Sequence, residues 1–193
     1  YQSYLPEGHM ELDNALFAPM IIAGKPAGIM GLGNKEGGFN ERDARNAMAF
    51  AELSAIALRN SRDLKLLADS EARFRQLFEN MSSGVAIYDV IGDGEDFVFR
   101  DINPTGARIG RLAPEEHIGR SVRDVYPSVE EIGLFSVFQE VWRTGMPRHH
   151  PTTLYKDERF EFWVENYICK LPSGELVAVY DDITEKRRTE LAL

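Results

Sequence analysis

Residues 175–187 read ELVAVYDDITEKR, a stretch in which a strand pattern passes directly into the start of a helix. Apolar and β-branched side chains dominate Glu175–Ile183, which predicts a strand. Thr184 stands where a helix cap is expected, and charged residues follow it. The turn sequence Leu-Pro-Ser-Gly at 171–174 joins this strand to a second predicted strand, Phe160–Cys169.

The strand pattern recurs three times upstream, at Val85–Val90, Phe97–Ile102 and His149–Tyr155. Prolines and glycines interrupt residues 103–127, so only short helices fit there. An amphipathic helix is predicted over Glu130–Thr144, with Gly145 as its C-cap. The sequence therefore predicts an α+β fold: a five-stranded antiparallel sheet with short flanking helices between its second and third strands.

A long helix is predicted from Asn40 to about Asn80, because Asn40 is a good N-cap and no proline or glycine follows. Asp43 completes an acidic variant of the capping box. The helix carries apolar side chains at alternating spacings of three and four, interrupted by Glu71: Leu64, Leu67, Phe74, Phe78 and Met81. This spacing favours a coiled-coil partner helix, and packing on the chain's own domain is the alternative. Before the helix, Leu16–Ile22 and Ala27–Leu32 are predicted to be partner strands.

Composition limits the class of protein. With 193 residues, 44% of them hydrophobic, the chain suits one large domain or two small ones. A net charge of −9 argues against nucleic-acid binding. The single Cys169 excludes a disulfide framework and fits a reducing compartment, so we expect a cytoplasmic protein. Prolines and Gly24 interrupt the apolar segment 15–32, so no direct membrane insertion is expected. Because the chain starts at Tyr1, we expect a piece of a longer protein.

Residues 70–187 carry five short motifs in the order found in PAS sensor domains, which this region closely resembles. In chain order the motifs are Phe78-Glu79-Asn80-Met81, Asp101-Ile102-Asn103, Ile118-Gly119-Arg120-Ser121, Thr144-Gly145-Met146-Pro147 and Asp181-Asp182-Ile183-Thr184-Glu185-Lys186-Arg187. The last is the most specific, since many PAS domains end in Asp-Ile-Thr-Glu before an output helix. The resemblance implies the PAS fold, preceded by the long helix.

The first sixty residues resemble the C-terminal half of a GAF domain. The matching segments are Leu5-Pro6-Glu7-Gly8-His9, the strand with Pro19, Gly28–Leu32, and Asn34-Lys35 with Phe39 and Asp43, where Ala44 replaces the usual Glu. In that family the lysine and aspartate form a structural ion pair, so the pattern does not establish nucleotide binding. A half domain leaves apolar edges open. Our hypothesis is that it pairs with another chain, rearranges or is poorly ordered.

Together the two resemblances imply a sensory fragment of a prokaryotic signal-transduction protein, most plausibly a sensor histidine kinase of a two-component system. The expected divisions are the GAF half at 1–58, a helical signalling linker at 59–71, the PAS domain at 72–185 and the start of an output helix at 186–193. Flanking helices are expected to form a parallel homodimer, and a small molecule is the expected ligand. The alternative is a ligand-free dimerisation and relay module.

Two groups of residues are predicted to carry the function. The pocket between sheet and short helices is expected near Phe99, Ile109, Phe135, Phe138, Trp142, Phe162, Val164, Val177 and Val179. The alternative is that these side chains only pack the hydrophobic core and bind no ligand. Signal transfer is expected at Asp182, Ile183 and Thr184, where Asp182 accepts hydrogen bonds and Thr184 caps the next helix. The alternative there is a simple helix cap.

The sequence offers no catalytic centre, so the chain itself is not expected to be an enzyme. It contains no nucleotide-binding P-loop and no arrangement of a nucleophile with His and Asp. Neighbouring His149 and His150 on a strand point to opposite faces, which favours surface imidazoles over a metal site. Haem ligation by His117 is not expected, because haem-binding PAS domains usually carry the ligand on the long helix and residues 130–144 lack histidine. Covalent flavin attachment needs a cysteine within 103–111, which has none; noncovalent flavin stays an alternative.

Overall fold

The computed structural model describes residues 11–191, so the predicted match at Leu5–His9 lies outside the described residues. The chain divides into two compact units between Ala72 and Arg73. The first unit contains strands β1 (Ala15–Ile22) and β2 (Lys25–Gly33), and helix α1 (Glu41–Asn80) begins in it.

Strands β1 and β2 pair antiparallel, with a register shift after Met20. Ala18 on β1 packs against Ala47 and Ala51 of α1, since small side chains allow helix and strand to approach closely. The outer face leaves Phe17 and Ile29 about two-thirds exposed, at 66% and 69%. This open apolar face is what a half sheet is expected to leave.

The start of α1 confirms the predicted capping box. The Asn40 side chain accepts hydrogen bonds from the backbone N–H groups of Arg42 and Asp43, at 2.9 and 3.1 Å. The Asp43 carboxylate accepts in return from the Asn40 N–H at 2.8 Å. Asp43 also pairs with Lys35, the ion pair that the GAF resemblance implies. These bonds lower the Asp43 pKa, the one from Lys35 most, and join the loop before α1 to its first turn.

The second unit contains the predicted five-stranded sheet, in the order β4-β3-β7-β6-β5 with every neighbour antiparallel. Its elements are β3 (Gly84–Ile91), β4 (Asp96–Ile102), α2 (Pro104–Gly110), α3 (Pro114–His117), α4 (Val122–Val125), a 3-10 turn (Pro127–Val129), α5 (Leu134–Thr144), β5 (Arg148–Lys156), β6 (Glu161–Lys170), β7 (Leu176–Asp182) and α6 (Thr184–Leu191). The predicted start of α5 at Glu130 is wrong, because Gly133 adopts a left-handed backbone (φ 78°) and the helix begins after it.

Helices α2, α4 and α5 pack on one face of the sheet and enclose an aromatic core. Phe97 of β4 lies edge-on to Phe135 and Phe138 of α5, with ring centroids 5.3 and 5.2 Å apart. Phe97 and Phe138 are at most 1% exposed. Such aromatic pairs add about 0.5–1.5 kcal/mol each beyond their buried area, so they fix α5 against the sheet.

The side-chain amide of Asn103, at the end of β4, bonds to four backbone groups. Its oxygen accepts from the N–H groups of Val85 and Gly106, at 2.8 and 2.7 Å. Its nitrogen donates to the carbonyls of Phe78 and Ser83, both at 3.0 Å. Asn103 is fully buried, so one side chain ties the end of α1, the start of β3 and the first turn of α2 together.

We predict that Asn103→Ala destabilises the second unit by about 3 kcal/mol or more, because it leaves buried backbone donors and acceptors unpaired. Urea unfolding followed by tryptophan fluorescence measures this, since both tryptophans, Trp142 and Trp163, lie in that unit. The control is Asn80→Ala, which removes an exposed side chain bonded to the Gln76 carbonyl. We expect it to change stability by less than about 0.5 kcal/mol. Equal effects of the two substitutions would contradict the role of Asn103.

Candidate functional site

A cavity of about 60 Å³ lies between the sheet and helices α2, α4 and α5 of the second unit. Its lining is aromatic and aliphatic with few polar groups: Tyr88, Ile109, Gly110, Val122, Tyr126, Val129, Ile132, Leu134, Phe138, Tyr155, Phe162, Val164, Asn166 and Tyr180. A single water needs about 10–15 Å³ measured this way, and drug-sized pockets span about 300–1,000 Å³. The cavity therefore has room for a few heavy atoms only.

Asn166 on β6 brings an unpaired amide to this lining. Its side chain is 4% exposed, and its Nδ2 donates to no partner among the described residues. An amide N–H buried without a partner costs about 1–3 kcal/mol. Val164 and Ile168, two residues away on either side, are buried on the same face, because strand side chains alternate. Asn166 thus takes a core position that an apolar residue would fill at lower cost.

His150 on β5 lies directly opposite Asn166 in the sheet register. Its Nε2 bonds to the Ile132 carbonyl at 3.0 Å, and its Nδ1 has no partner in the described part of the chain. A carbonyl only accepts, so Nε2 carries the proton and Nδ1 presents a lone pair. Burial lowers the His150 pKa, which keeps the ring neutral. The prediction that both imidazoles lie at the surface is wrong for His150, because His150 is on the face of β5 that packs on the core. The prediction that the two side chains point to opposite faces is confirmed, since His149 is exposed.

A second buried histidine, His117, positions Tyr126 at the cavity wall. His117 is fully buried, and burial lowers its pKa. Its Nδ1 bonds to the Ala113 carbonyl at 2.9 Å and its Nε2 to the Tyr126 hydroxyl at 2.8 Å. Since the carbonyl takes the Nδ1 proton, the tyrosine donates to Nε2. The Tyr126 oxygen then has only lone pairs left to offer.

Four of the nine predicted pocket residues line the cavity: Ile109, Phe138, Phe162 and Val164. Phe99 and Phe135 belong to the neighbouring core and do not line it. Trp142 lies one turn after Phe138 towards the C-terminal end of α5, outside the cavity lining, where its indole N–H donates to Asp93 at 3.1 Å. Their shared hydrophobicity gives no information on which of them faces the void.

The prediction is wrong for Val177 and Val179 because of strand alternation. Leu176 and Ala178 of β7 are buried on the helix-covered face, so the two valines point to the opposite face. Half of the ten lining residues that sequence reasoning missed are four tyrosines and an amide: Tyr88, Tyr126, Tyr155, Tyr180 and Asn166. Alternation along β6 from Val164 could have identified Asn166.

The junction of β7 and α6 uses its polar side chains differently from the prediction. The Asp182 carboxylate accepts the Thr184 N–H at 2.9 Å, as expected of a junction acceptor. The Thr184 hydroxyl accepts instead from the Trp163 N–H of β6, at 2.9 Å. Ile183 adds a backbone bond, from its N–H to the Trp163 carbonyl. Thr184 is the first residue of α6 rather than its cap, so its hydroxyl fastens the helix start to the sheet.

An open polar groove of about 310 Å³ lies beside this junction, and its lining is Ser82, Thr105, Arg108, Ile109, Asp181 and Asp182. Ile109 lines both the groove and the cavity. Helix α2 therefore separates the groove from the cavity. The Thr105 hydroxyl donates to the Met81 carbonyl at 2.8 Å, so the segment that follows α1 is bonded to the same helix.

Residues 78–188 match the family model described as the PAS fold, which covers more than half of the chain. The chain belongs to the PAS family. Residues 1–59 match the model described as a GAF domain. PAS and GAF domains are sensory domains, so the chain has a sensory role in signal transduction. The PAS fold is generally non-catalytic.

Several solved structures align with this chain at low sequence identity. The Escherichia coli DhaR(N)–DhaL complex aligns at 17% identity and a TM-score of 0.52, over 86% of this chain and 54% of that one. A domain of a sensory box sensor histidine kinase/response regulator from Geobacter sulfurreducens aligns at 20% identity and a TM-score of 0.48, over 60% and 96%. The PAS domain of an HTR-like protein from Haloarcula marismortui aligns at 19% and 0.46, over 64% and 99%. No curated protein gave a significant match.

No helix among residues 11–191 is long and apolar enough to cross a membrane. Within the same range, no cluster of three or more His, Cys, Asp or Glu side chains could hold a metal ion. His117 and His150 instead hydrogen-bond to backbone carbonyls.

We predict that Gly110→Ala disrupts the Tyr126 side of the PAS cavity. A Cβ at residue 110 would lie 1.9 Å from the Tyr126 hydroxyl and 3.2 Å from His117 Nε2. Overpacking of this kind costs about 1–3 kcal/mol, measured by urea unfolding.

The same substitution in a Tyr126→Phe background is the control. Without the hydroxyl, the closest clash disappears, so Gly110→Ala should cost about 1 kcal/mol less there. An identical cost in both backgrounds would mean that the hydroxyl does not require the glycine.

Proposed function

We propose that the PAS domain binds a small ligand in its cavity and passes the signal through α2 to the junction of β7 and α6. The observation that carries the proposal is the shared wall: Ile109 lines the cavity on one side and the Asp182 groove on the other. A ligand that displaces Ile109 moves the helix that also carries Thr105 and Arg108. Both of these line the groove with Asp182.

Such a signal needs two states that the ligand distinguishes. A ligand shifts an equilibrium only by its difference in affinity between the states. Movement of α2 would strain the bond from Thr105 to the Met81 carbonyl and alter the surroundings of Asp182. Helix α6 is bonded to β6 through Thr184. We therefore propose that cavity occupancy changes the start of α6, the expected output helix at 186–193.

Asp182→Ala should uncouple the output of the parent protein from its signal and leave the PAS fold intact. The substitution removes the acceptor of the Thr184 N–H but no buried side chain. The matched control is Asp181→Ala, which removes an exposed neighbouring carboxylate that also lines the groove. Output is measured with and without signal in the full-length parent. Asp182→Ala output that still follows the signal would overturn this assignment.

We also propose that α1 forms a parallel homodimer with a second copy of the chain, through residues that include the 59–71 linker. Three residues of the predicted stripe, Leu64, Leu67 and Phe74, are 67%, 65% and 53% exposed, whereas Phe78 is buried at 6%. The same spacing of three and four continues upstream through exposed Asn60, Ala57, Leu53 and Phe50. This gives more than three heptads, the length that a coiled-coil seam needs. The seam has polar residues at Asn60 and Glu71, and a buried Asn in a coiled-coil seam favours one register.

Leu67→Lys should shift the chain from dimer to monomer, measured by sedimentation equilibrium or native mass spectrometry. A charge in the seam loses apolar burial and opposes its own copy across a parallel dimer. Leu66→Lys is the matched control, because Leu66 is equally exposed (68%) but lies outside the stripe. Its dimer should persist. Loss of the dimer in both variants would assign the interface to another face of α1.

The second candidate function is a ligand-free dimerisation and relay module, and the small cavity volume favours it. Native mass spectrometry with an absorbance scan separates the two functions: a reproducible small adduct supports ligand sensing, and a bare dimer supports the relay.

We further propose a cytoplasmic sensor histidine kinase of a two-component system as the parent, because of the GAF–helix–PAS order of the sequence. Covalent flavin and haem are not expected ligands, since 60 Å³ holds neither ring system.

A further inference from the structure

We infer that the cavity takes a small uncharged oxygen compound, a ketone or an alcohol, whose oxygen accepts a hydrogen bond from Asn166 Nδ2. The inference rests on the proposed ligand-sensing function and adds the chemical class of the ligand. It starts from a buried donor that no described residue satisfies, in a wall that otherwise packs as core.

The charge of the lining selects an uncharged ligand. Among the residues that the structure describes, no Lys, Arg, Asp or Glu side chain lines the cavity. Burial raises the pKa of Tyr88, Tyr126 and Tyr180, so these phenols stay protonated. An ionised ligand would lose its hydration with no opposite charge to replace it. A carboxylate or an ammonium compound is therefore a poor occupant.

The hydrogen-bonding capacity of the lining selects an oxygen. Asn166 Nδ2 requires an acceptor, which a carbonyl or a hydroxyl oxygen supplies. Tyr126 donates its only hydroxyl hydrogen bond to His117, so its oxygen can accept a hydrogen bond from a ligand hydroxyl. A ketone thus satisfies Asn166 alone, whereas an alcohol can satisfy both residues. The apolar side chains Ile109, Phe138 and Val164 suit the hydrocarbon part.

The cavity volume sets the size of the ligand. About 60 Å³ is four to six times the ~10–15 Å³ that one water needs. Compounds of four non-hydrogen atoms are the matching class. Acetone, 2-propanol, isobutene and acetate have closely similar shapes and differ in the group that faces Asn166: a carbonyl, a hydroxyl, an apolar methylene or a charge.

These four compounds are titrated into the ¹⁵N-labelled 193-residue chain, with ¹H–¹⁵N spectra reporting on the Asn166 side-chain amide and on backbone amides around the cavity. Two variants remove the donor: Asn166→Val, whose side chain is larger, and Asn166→Ala, whose side chain is smaller. If only the size of the side chain mattered, the two substitutions would change the ligand affinity in opposite directions. Tyr126→Phe removes the second polar group, and either Asn166 variant suffices if the other fails to fold.

We expect the affinity for acetone, relative to isobutene, to fall about tenfold in both Asn166 variants. We expect 2-propanol to lose its advantage over acetone in Tyr126→Phe. Acetate should leave the cavity resonances unshifted. The proposed ligand class is overturned if the affinities for acetone and isobutene change alike in every variant, or if acetate binds as tightly as acetone. Ligand sensing itself would stand in either case. If none of the four compounds shifts the cavity resonances, ligand sensing fails as well and the relay module is favoured.

Discussion

The amide of Asn103 connects the three parts of the PAS unit that a signal would have to cross. It bonds the end of α1 through Phe78, the start of β3 through Val85, and the first turn of α2 through Gly106. Each group is a buried backbone donor or acceptor, which must be paired for the fold to be stable. The position of α2, and with it one wall of the cavity, follows from this single side chain.

The cavity combines an apolar wall with polar groups that have defined roles. His117 is bonded at both nitrogens and fixes the direction of the Tyr126 hydroxyl. His150 and Asn166 are directly paired on the neighbouring strands β5 and β6, and each has one side-chain nitrogen without a partner among the described residues. A core selected for stability alone would replace such groups with apolar ones. The unpaired amide of Asn166 at the cavity wall is the observation on which the proposed ligand rests.

The segment through which the chain enters the PAS domain and the segment through which it leaves lie close together at helix α2. Thr105 bonds the segment that follows α1, and Asp182 at the end of β7 lines the same groove. Antiparallel pairing of β3 with β7 produces this proximity, because it places the start of one strand beside the end of the other. In the proposed mechanism, a small movement of α2 would reach both flanking helices.

The sequence by itself determined the strands, the long helix with its Asn40 cap, and the class of fold, since these depend on side chains a few residues apart. It also placed Ile109, Phe138, Phe162 and Val164 near the cavity. Only the tertiary structure decided that Val177 and Val179 face away, that Thr184 bonds to β6 and that Asn166 Nδ2 has no partner in the described part of the chain. The physical reason is that a cavity is the volume left over when distant segments pack, and no local pattern encodes that remainder.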